Sequence, residues 1–155
     1  MVVINANIED ELQIVSKENQ QRTYARDDKT SKGVVKKRDK ELAMKERLGT
    51  FNDEADAYAQ CEAAGYTAHK FDFPAVENEP HWHDFDSLTF IVTGELTVVD
   101  VEKGVSYTCG AGTKLVGQKG FAHCEKSEGY TAIIGFAQDP SSLTQPINKP
   151  LPASL

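Results

Sequence analysis

The stretch from Pro80 to Gly94, PHWHDFDSLTFIVTG, is the most informative part of the sequence for predicting the fold. His81 and His83 occupy positions i and i+2 of a predicted strand, so both imidazoles point to one face while Trp82 points to the other. Two imidazoles on one face can share a metal ion. Because a His-x-His pair alone is weak evidence, the interpretation depends on the sequence around it.

From Thr67 onward the apolar residues alternate with a period of two, in short runs separated by turns that contain glycine. This pattern is typical of an antiparallel barrel or jelly roll. No helix-length segment interrupts the runs. The predicted strands are His69–Phe73, Pro80–Asp84, Leu88–Val92, Glu95–Val101, Val105–Thr108, Lys114–Val116, Ala122–Glu125 and Tyr130–Phe136.

A third histidine follows in a pattern that resembles the cupin superfamily. The first cupin motif is glycine, five residues, His-x-His, three or four residues, glutamate, six residues and glycine. The second is glycine, five residues, Pro-x-Gly, two residues, histidine, three residues and asparagine. The residues that match the two motifs in order are His81, His83, Gly94, Gly112, Gly120 and His123.

The chain also departs from the cupin motifs. Ala75 stands in place of the first glycine, Gln118 in place of the proline and Ser127 in place of the final asparagine. Ser87 occupies the position of the glutamate that is usually the fourth protein ligand of the metal. The resemblance covers roughly residues 71 to 140 and is specific for the fold rather than for a function, since one fold hosts many chemistries.

The resemblance implies a mainly β protein with a single cupin barrel, a double-stranded β-helix or jelly roll, and a metal held by His81, His83 and His123. Cupin sites with three histidines and no glutamate resemble those of the thiol dioxygenases and of the β-diketone-cleaving dioxygenase. The expected cofactor is therefore a divalent metal ion, with Fe(II) favoured and Zn, Ni or Mn as alternatives. Three protein ligands leave positions for a chelating substrate and for dioxygen.

By this analogy the predicted function is that of a non-haem Fe(II) dioxygenase for a small anionic chelating substrate, an enolate or a thiol. Two alternatives stay open at this point: a non-catalytic cupin that binds a metal or a small ligand, and a metal-dependent isomerase or lyase. An inward base near the metal would favour the second alternative. The sequence does not decide whether the protein is an enzyme.

Two carboxylates are candidates for a place near the metal. Glu125 lies two residues after His123 on the same presumed face, so it is the candidate catalytic base, with an exposed strand end as its alternative role. Asp86 has the opposite parity to His81 and His83, and only a bulge or turn would aim it inward. His69 lacks any supporting motif and is expected to be a structural histidine.

Apolar side chains are expected to surround the metal or to fill the core. Phe71, Phe73 and Ile91 have inward parity and would either shape a dry pocket or pack in the barrel core. Cys124 neighbours His123 with opposite parity and is predicted to be a packed thiol that points away from the metal.

The sequence before Tyr66 has a different character, and it divides the chain into a helical or loop extension, 1–66, a barrel, 67–138, and a carboxyl-terminal arm, 139–155. A charged helix is predicted from Lys36 to Leu48, with Gly49 as its stop signal. A second helix is predicted to end at Gly65. Its predicted buried face consists of Phe51, Ala55, Tyr58, Ala59 and Ala63.

The composition narrows the partners and the compartment. A net charge of -7 argues against a general nucleic-acid binder. The basic segment from Arg22 to Arg47 is interpreted as a solvated helix face, or as a contact with the acidic remainder of a second subunit. Three cysteines without paired spacing and no apolar leader or membrane span predict a cytoplasmic protein. The cupin resemblance further implies that the protein forms a homo-oligomer, namely a dimer, and that its substrate is a small molecule.

Overall fold

The computed structural model of the 155-residue chain describes Leu42 and residues 45–152. The predicted helix from Lys36 to Leu48 and the basic segment from Arg22 to Arg47 therefore lie largely outside the described residues. The predicted mainly β, jelly-roll architecture is confirmed, because two antiparallel sheets contain nearly all the regular secondary structure of the described residues.

The first sheet contains five strands in the order β1, β8, β5, β10, β2. All its pairs are antiparallel, and β10 lies between β5 and β2 along its whole length. A bulge between Thr131 and Ala132 shifts the register of β10 against β5. The bounds are β1 Leu48–Thr50, β2 Thr67–Phe73, β5 Ser87–Gly94, β8 Thr113–Gly117 and β10 Tyr130–Phe136.

The second sheet has the order β11, β4, β9, β6, β7, and the short strand β3 also pairs with β9. The pairing of β4 with β9 sets His81 directly opposite His123, so the two halves of the sequence motif meet across one ladder. The bounds are β3 Val76–Glu77, β4 His81–Trp82, β6 Leu96–Asp100, β7 Val105–Cys109, β9 His123–Ser127 and β11 Lys149–Pro150.

The main core lies between the two sheets. Its fully buried members come from both, for example Ile91 and Ala132 from the first sheet and Val98 and Tyr107 from the second. The sheets are linked by the tight turn at Gly94, whose φ of 79° is unfavourable for residues with a side chain. A Cβ at Gly94 would also collide with the carbonyl oxygen of Gly129, so this turn requires glycine.

The first strand corrects the expected stop signal at Gly49. Leu48, Gly49 and Thr50 pair with β8, so Gly49 lies inside a strand instead of ending a helix. A Cβ at Gly49 would lie 3.5 Å from Cδ of Lys114, an ordinary van der Waals distance, so the strand does not require glycine at this position. The barrel therefore begins before Tyr66, at β1.

The single helix with defined bounds in the described part, α1, spans Glu54–Ala63. Asp53 caps it by accepting a hydrogen bond from the amide of Asp56 at 2.8 Å, and the predicted stop at Gly65 is confirmed by a φ of 77°. The helix packs on the outer face of the first sheet, next to Phe90 and Ile133.

The predicted buried face is confirmed at Phe51, which is buried but precedes the helix, and is wrong within the helix itself. Ala57 and Cys61 are the buried positions, whereas Tyr58 is 40% exposed. The reason is a close approach of helix and sheet: a Cβ at Gly135 of β10 would lie 2.5 Å from Sγ of Cys61, so the bare glycine backbone selects Cys61 as the contact. Alanine is favourable on the buried and on the exposed side of a helix, so the alanines of this segment do not indicate which side faces the sheet.

The carboxyl-terminal segment returns to the barrel. A 3₁₀ turn at Pro140–Ser142 is followed by Leu143, which packs against Phe85 and Phe136. β11 then pairs with β4, with Pro150 opposite His81. The described residues include no helix that is long and apolar enough to span a bilayer.

Candidate metal centre

The structure brings the three histidines of the motif together. One ring nitrogen from each of His81, His83 and His123 lies within 4.8 Å of the others, and among the described residues no carboxylate or thiol joins this group. The ring centroids of His81 and His123 are 4.4 Å apart. His81 is 3% exposed and His123 is 8% exposed, whereas His83 is half-buried and lines a cavity.

Each of the three imidazoles is held through Nδ1 by a backbone carbonyl. Nδ1 of His81 lies 2.8 Å from the oxygen of Glu79, and Nδ1 of His123 lies 2.9 Å from the oxygen of Phe121. Nδ1 of His83 lies 2.9 Å from the oxygen of Ile147 in the carboxyl-terminal segment. Because a carbonyl only accepts hydrogen bonds, each Nδ1 has to carry the proton.

This arrangement leaves the lone pair of Nε2 free on each of the three rings. Nε2 of His81 is buried and has no hydrogen-bond partner, a costly state for a polar atom unless something else binds there. Imidazoles that donate through one nitrogen and bind through the other are the usual form of metal-ligating histidine. The residues therefore fit a divalent metal ion of undetermined identity.

Burial favours the neutral form of two of the three rings, His83 and His123. Burial lowers the pKa of His123 to about 4, and burial also lowers the pKa of His83; the hydrogen bonds to the backbone oppose these shifts only in part. Neutral imidazole is the form that binds metals. At neutral pH, binding at His83 and His123 consequently requires no loss of a proton.

The carboxylate of Glu125 lies beside the three histidines, on the face expected from its parity. Its Oε1 is 3.6 Å from Nε2 of His81 and accepts a hydrogen bond of 3.2 Å from Nδ2 of Asn78. The side-chain oxygen of Asn78 in turn accepts from the amide of Glu125 at 2.7 Å. Asn78 was not predicted, and its position three residues before His81 carries no signal in the sequence.

The other candidates lie elsewhere. Asp86 is exposed and accepts a hydrogen bond from the amide of Lys119 at 2.7 Å, which fixes the loop before β9 instead of a metal. His69 is exposed. Ser87 lines the same cavity as His83 and His123.

A stack of three side chains supports His123 from within the barrel. The ring of Phe121 is parallel to the imidazole, with an interplanar angle of 15° and centroids 4.8 Å apart. Cζ of Arg47 lies 3.5 Å from the centroid of Phe121. Phe121 shares the strand parity of His123 and could have been predicted, whereas Arg47 belongs to the basic segment that was interpreted as solvated and is 13% exposed.

A cavity of about 450 Å³ opens next to the site. His83, His123 and Glu125 line it at one side, and apolar residues line most of the remainder, with Phe71 and Phe73 among the aromatic ones. Ile91 is fully buried in the core and does not line the cavity. The volume of the cavity is within the range of roughly 300–1,000 Å³ that is typical of small-molecule sites.

Comparison with known proteins found partial similarity to solved structures. No family model matches the chain, and no curated protein matches it. A protein of unknown function from Pseudomonas syringae is 17% identical, with a TM-score of 0.43, over 44% of this chain and 29% of its own. The polyketide cyclase RemF from Streptomyces resistomycificus is 15% identical, with a TM-score of 0.44, over 57% of this chain and 62% of its own.

A third solved structure, an RMLC-like cupin from Shewanella frigidimarina, is 26% identical, with a TM-score of 0.41, over 48% of this chain and 67% of its own. The chain thus spans less than two thirds of the first two structures. These values are low, and the cupin-type fold stands on the strand order and on the three clustered histidines of this chain itself.

Proposed function

We propose that this chain is a metal-dependent enzyme in which His81, His83 and His123 hold one divalent ion and Glu125 exchanges a proton with a substrate bound beside it. The observation that carries the proposal is the common orientation of the three rings. Each donates Nδ1 to a backbone carbonyl, which leaves three Nε2 atoms for one metal.

A divalent ion bound there supplies Lewis-acid polarisation of a chelating substrate oxygen, which acidifies the adjacent C–H or O–H bond. The residues of the chain supply the remainder. Glu125 reaches the edge of the histidine group, and Asn78 fixes its carboxylate by a reciprocal pair of hydrogen bonds. A positioned carboxylate of this kind accepts a proton from a bound substrate and can return it at another atom.

The position of Glu125 favours an isomerase or lyase. Enzymes of these classes use a base beside the substrate, and Glu125 lines the cavity where a substrate would bind. A second candidate is an Fe(II) dioxygenase for a chelating enolate or thiol. The observation in its favour is the absence of a carboxylate from the histidine group, since three neutral imidazoles leave the full charge of the metal for an anionic substrate. Both candidates share the same ligands and the same base.

Metal content tests the ligand assignment. We expect about one metal per chain in protein purified without chelators, and loss of that metal in His123→Ala. His69→Ala is the matched control, because this exposed histidine lies outside the group. Equal metal content in His123→Ala and in the wild type would refute the site.

Hydrogen exchange tests the base. We expect the zinc-loaded protein to exchange carbon-bound hydrogen of at least one member of a panel of α-hydroxy ketones, α-keto acids and 1,3-diketones in D₂O, followed by NMR. Glu125→Gln should slow this exchange about 100-fold or more while metal content is unchanged. Oxygen uptake by the iron-loaded protein with the same panel separates the two candidates. A panel with neither exchange nor oxygen uptake would reduce the function to metal binding.

A further inference from the structure

Five of the six phenylalanine and tyrosine residues that line the cavity form one continuous surface that ends at the histidines. Phe73 stacks on Tyr130 with centroids 4.7 Å apart, and Phe71 contacts both Phe73 at 5.7 Å and Phe136 at 6.2 Å. Phe136 contacts Phe85 at 5.8 Å, and Phe85 stacks on the ring of His83 at 5.2 Å. We call this surface the aromatic wall; its members are Phe71, Phe73, Phe85, Tyr130 and Phe136.

The charge of the cavity lies on the side opposite the aromatic wall, beside the histidines. Glu125 is the one acidic residue among those described that line it, and no lysine or arginine lines it. A substrate with a second carboxylate or a phosphate would therefore lose water there without meeting a positive partner, which is costly. Amino acids and sugar phosphates do not fit this distribution of charge.

We propose that the substrate is an aromatic or similarly flat apolar molecule with one oxygen-chelating end, bound with that end at the histidines and Glu125 and its apolar body on the aromatic wall. This inference rests on the proposed function, since it assumes a metal at the histidine group. It adds the class of substrate, and it excludes small polar thiols, whose bodies would leave the aromatic wall uncovered. The cavity of about 450 Å³ is large enough for one or two rings beside the chelating group.

A series of hydroxamates separates the two ends of the site. Acetohydroxamate, benzohydroxamate and 2-naphthohydroxamate share one chelating group and differ in the size of the apolar body. Calorimetry with the zinc-loaded full chain measures binding without any turnover. We expect benzohydroxamate to bind at least tenfold more tightly than acetohydroxamate, because its ring is buried against apolar surface. Equal dissociation constants would overturn the inference.

Substitution of the aromatic wall locates the effect. Phe71→Ala should reduce the preference for benzohydroxamate over acetohydroxamate to threefold or less, while acetohydroxamate affinity and zinc content stay at wild-type values. Phe71→Leu, which conserves most of the apolar volume, provides the test if the alanine variant fails to fold, and it should weaken the preference in the same direction. Tyr58→Ala on the exposed side of α1 is the control for loss of an aromatic side chain.

The two proposals fail in different ways. If zinc does not bind, the proposed function fails, and the inference fails with it. If zinc binds and acetohydroxamate binds as tightly as its aromatic relatives, the metal site stands and only the substrate class is wrong. A preference that persists unchanged in Phe71→Ala and in Phe71→Leu would also contradict the aromatic wall as the binding surface.

Discussion

The backbone oxygen of Ile147 accepts a hydrogen bond of 2.9 Å from Nδ1 of His83, so a residue of the carboxyl-terminal segment fixes the orientation of a ring in the His-x-His motif. The segment that carries Ile147 is secured on both sides. Leu143 packs on Phe85, and Lys149 of β11 pairs with Trp82 of β4. The carboxyl-terminal segment is therefore a part of the candidate metal centre.

Truncation after Leu143 should weaken metal binding. The change removes the acceptor for His83 together with β11, and loss of such supporting hydrogen bonds typically costs about 10–100-fold in metal affinity. Competition with a chelator of known affinity measures the effect on the folded protein. Thr144→Ala is the control, because it changes an exposed side chain of the segment and keeps its backbone. An affinity equal to that of the wild type would show that the segment only covers the barrel.

The strands were predictable because their side chains alternate between the core and the surface. Each of the eight predicted strands has a counterpart, and the predicted Tyr130–Phe136 agrees with β10 at both ends. The three histidines were predictable for the same reason, since strand parity brings His81 and His83 to one face. The motif order then supplied His123 as their partner.

What the sequence did not predict lacks a side-chain pattern. β3 and β11 contain two residues each, too few for a period to be recognised. The acceptors that orient the three rings are backbone carbonyls, which every residue has, so Ile147 carried no signal. Arg47 is only 13% exposed because it stacks on Phe121, a residue distant in the sequence, whereas charge patterning alone predicts a solvated side chain.

Replacement of Arg47 by methionine should destabilise the protein by about 3 kcal/mol. Asp100 is 2% exposed, and its Oδ2 lies 3.8 Å from Nε of Arg47, so the variant leaves a buried carboxylate without its positive partner. Urea unfolding measures the change in the free energy of unfolding. Lys45→Met, at an exposed position two residues earlier, should change it by less than about 0.5 kcal/mol.

The partner substitution completes a double-mutant cycle. Asp100→Asn keeps an acceptor for the amide of Lys103, which donates to Oδ1 at 3.0 Å. The double variant Arg47→Met with Asp100→Asn should be more stable than Arg47→Met alone, because the unpaired charge is gone. Strictly additive effects of the two substitutions would contradict a coupled pair.

The stability of the metal-free protein should fall as the pH decreases from 6.5 towards 4. Burial lowers the pKa of His123 in the folded chain to about 4, whereas an unfolded histidine has a pKa near 6.5. Between these values the unfolded chain binds a proton that the folded chain does not, so acid favours unfolding, and the loss ends below the folded pKa. Burial lowers the pKa of His83 as well and adds to the same trend.

The contribution of His123 is isolated by comparison with His123→Gln. The difference in the free energy of unfolding between the wild type and this variant should change by about 2 kcal/mol between pH 7 and pH 4.5, in the direction of a less stable wild type. Urea titrations in the presence of a chelator, at several pH values, provide the measurement. A difference that is independent of pH would show that His123 titrates in the folded protein as it does in the unfolded chain.

Introduction of a carboxylate at Ser87 should strengthen metal binding. Ser87 lines the cavity with His83 and His123 and pairs with Gly117, and a Cβ on Gly117 would lie 2.6 Å from the serine Oγ, so glycine provides the space beside this side chain. Three neutral imidazoles leave the metal with its full formal charge. A glutamate that reaches it adds a charged ligand, so Ser87→Glu should lower the dissociation constant for Zn(II) about tenfold or more. Ser87→Gln, of equal size and without charge, is the control, and a glutamate variant that binds zinc no more tightly than the glutamine variant would place Ser87 beyond reach of the metal.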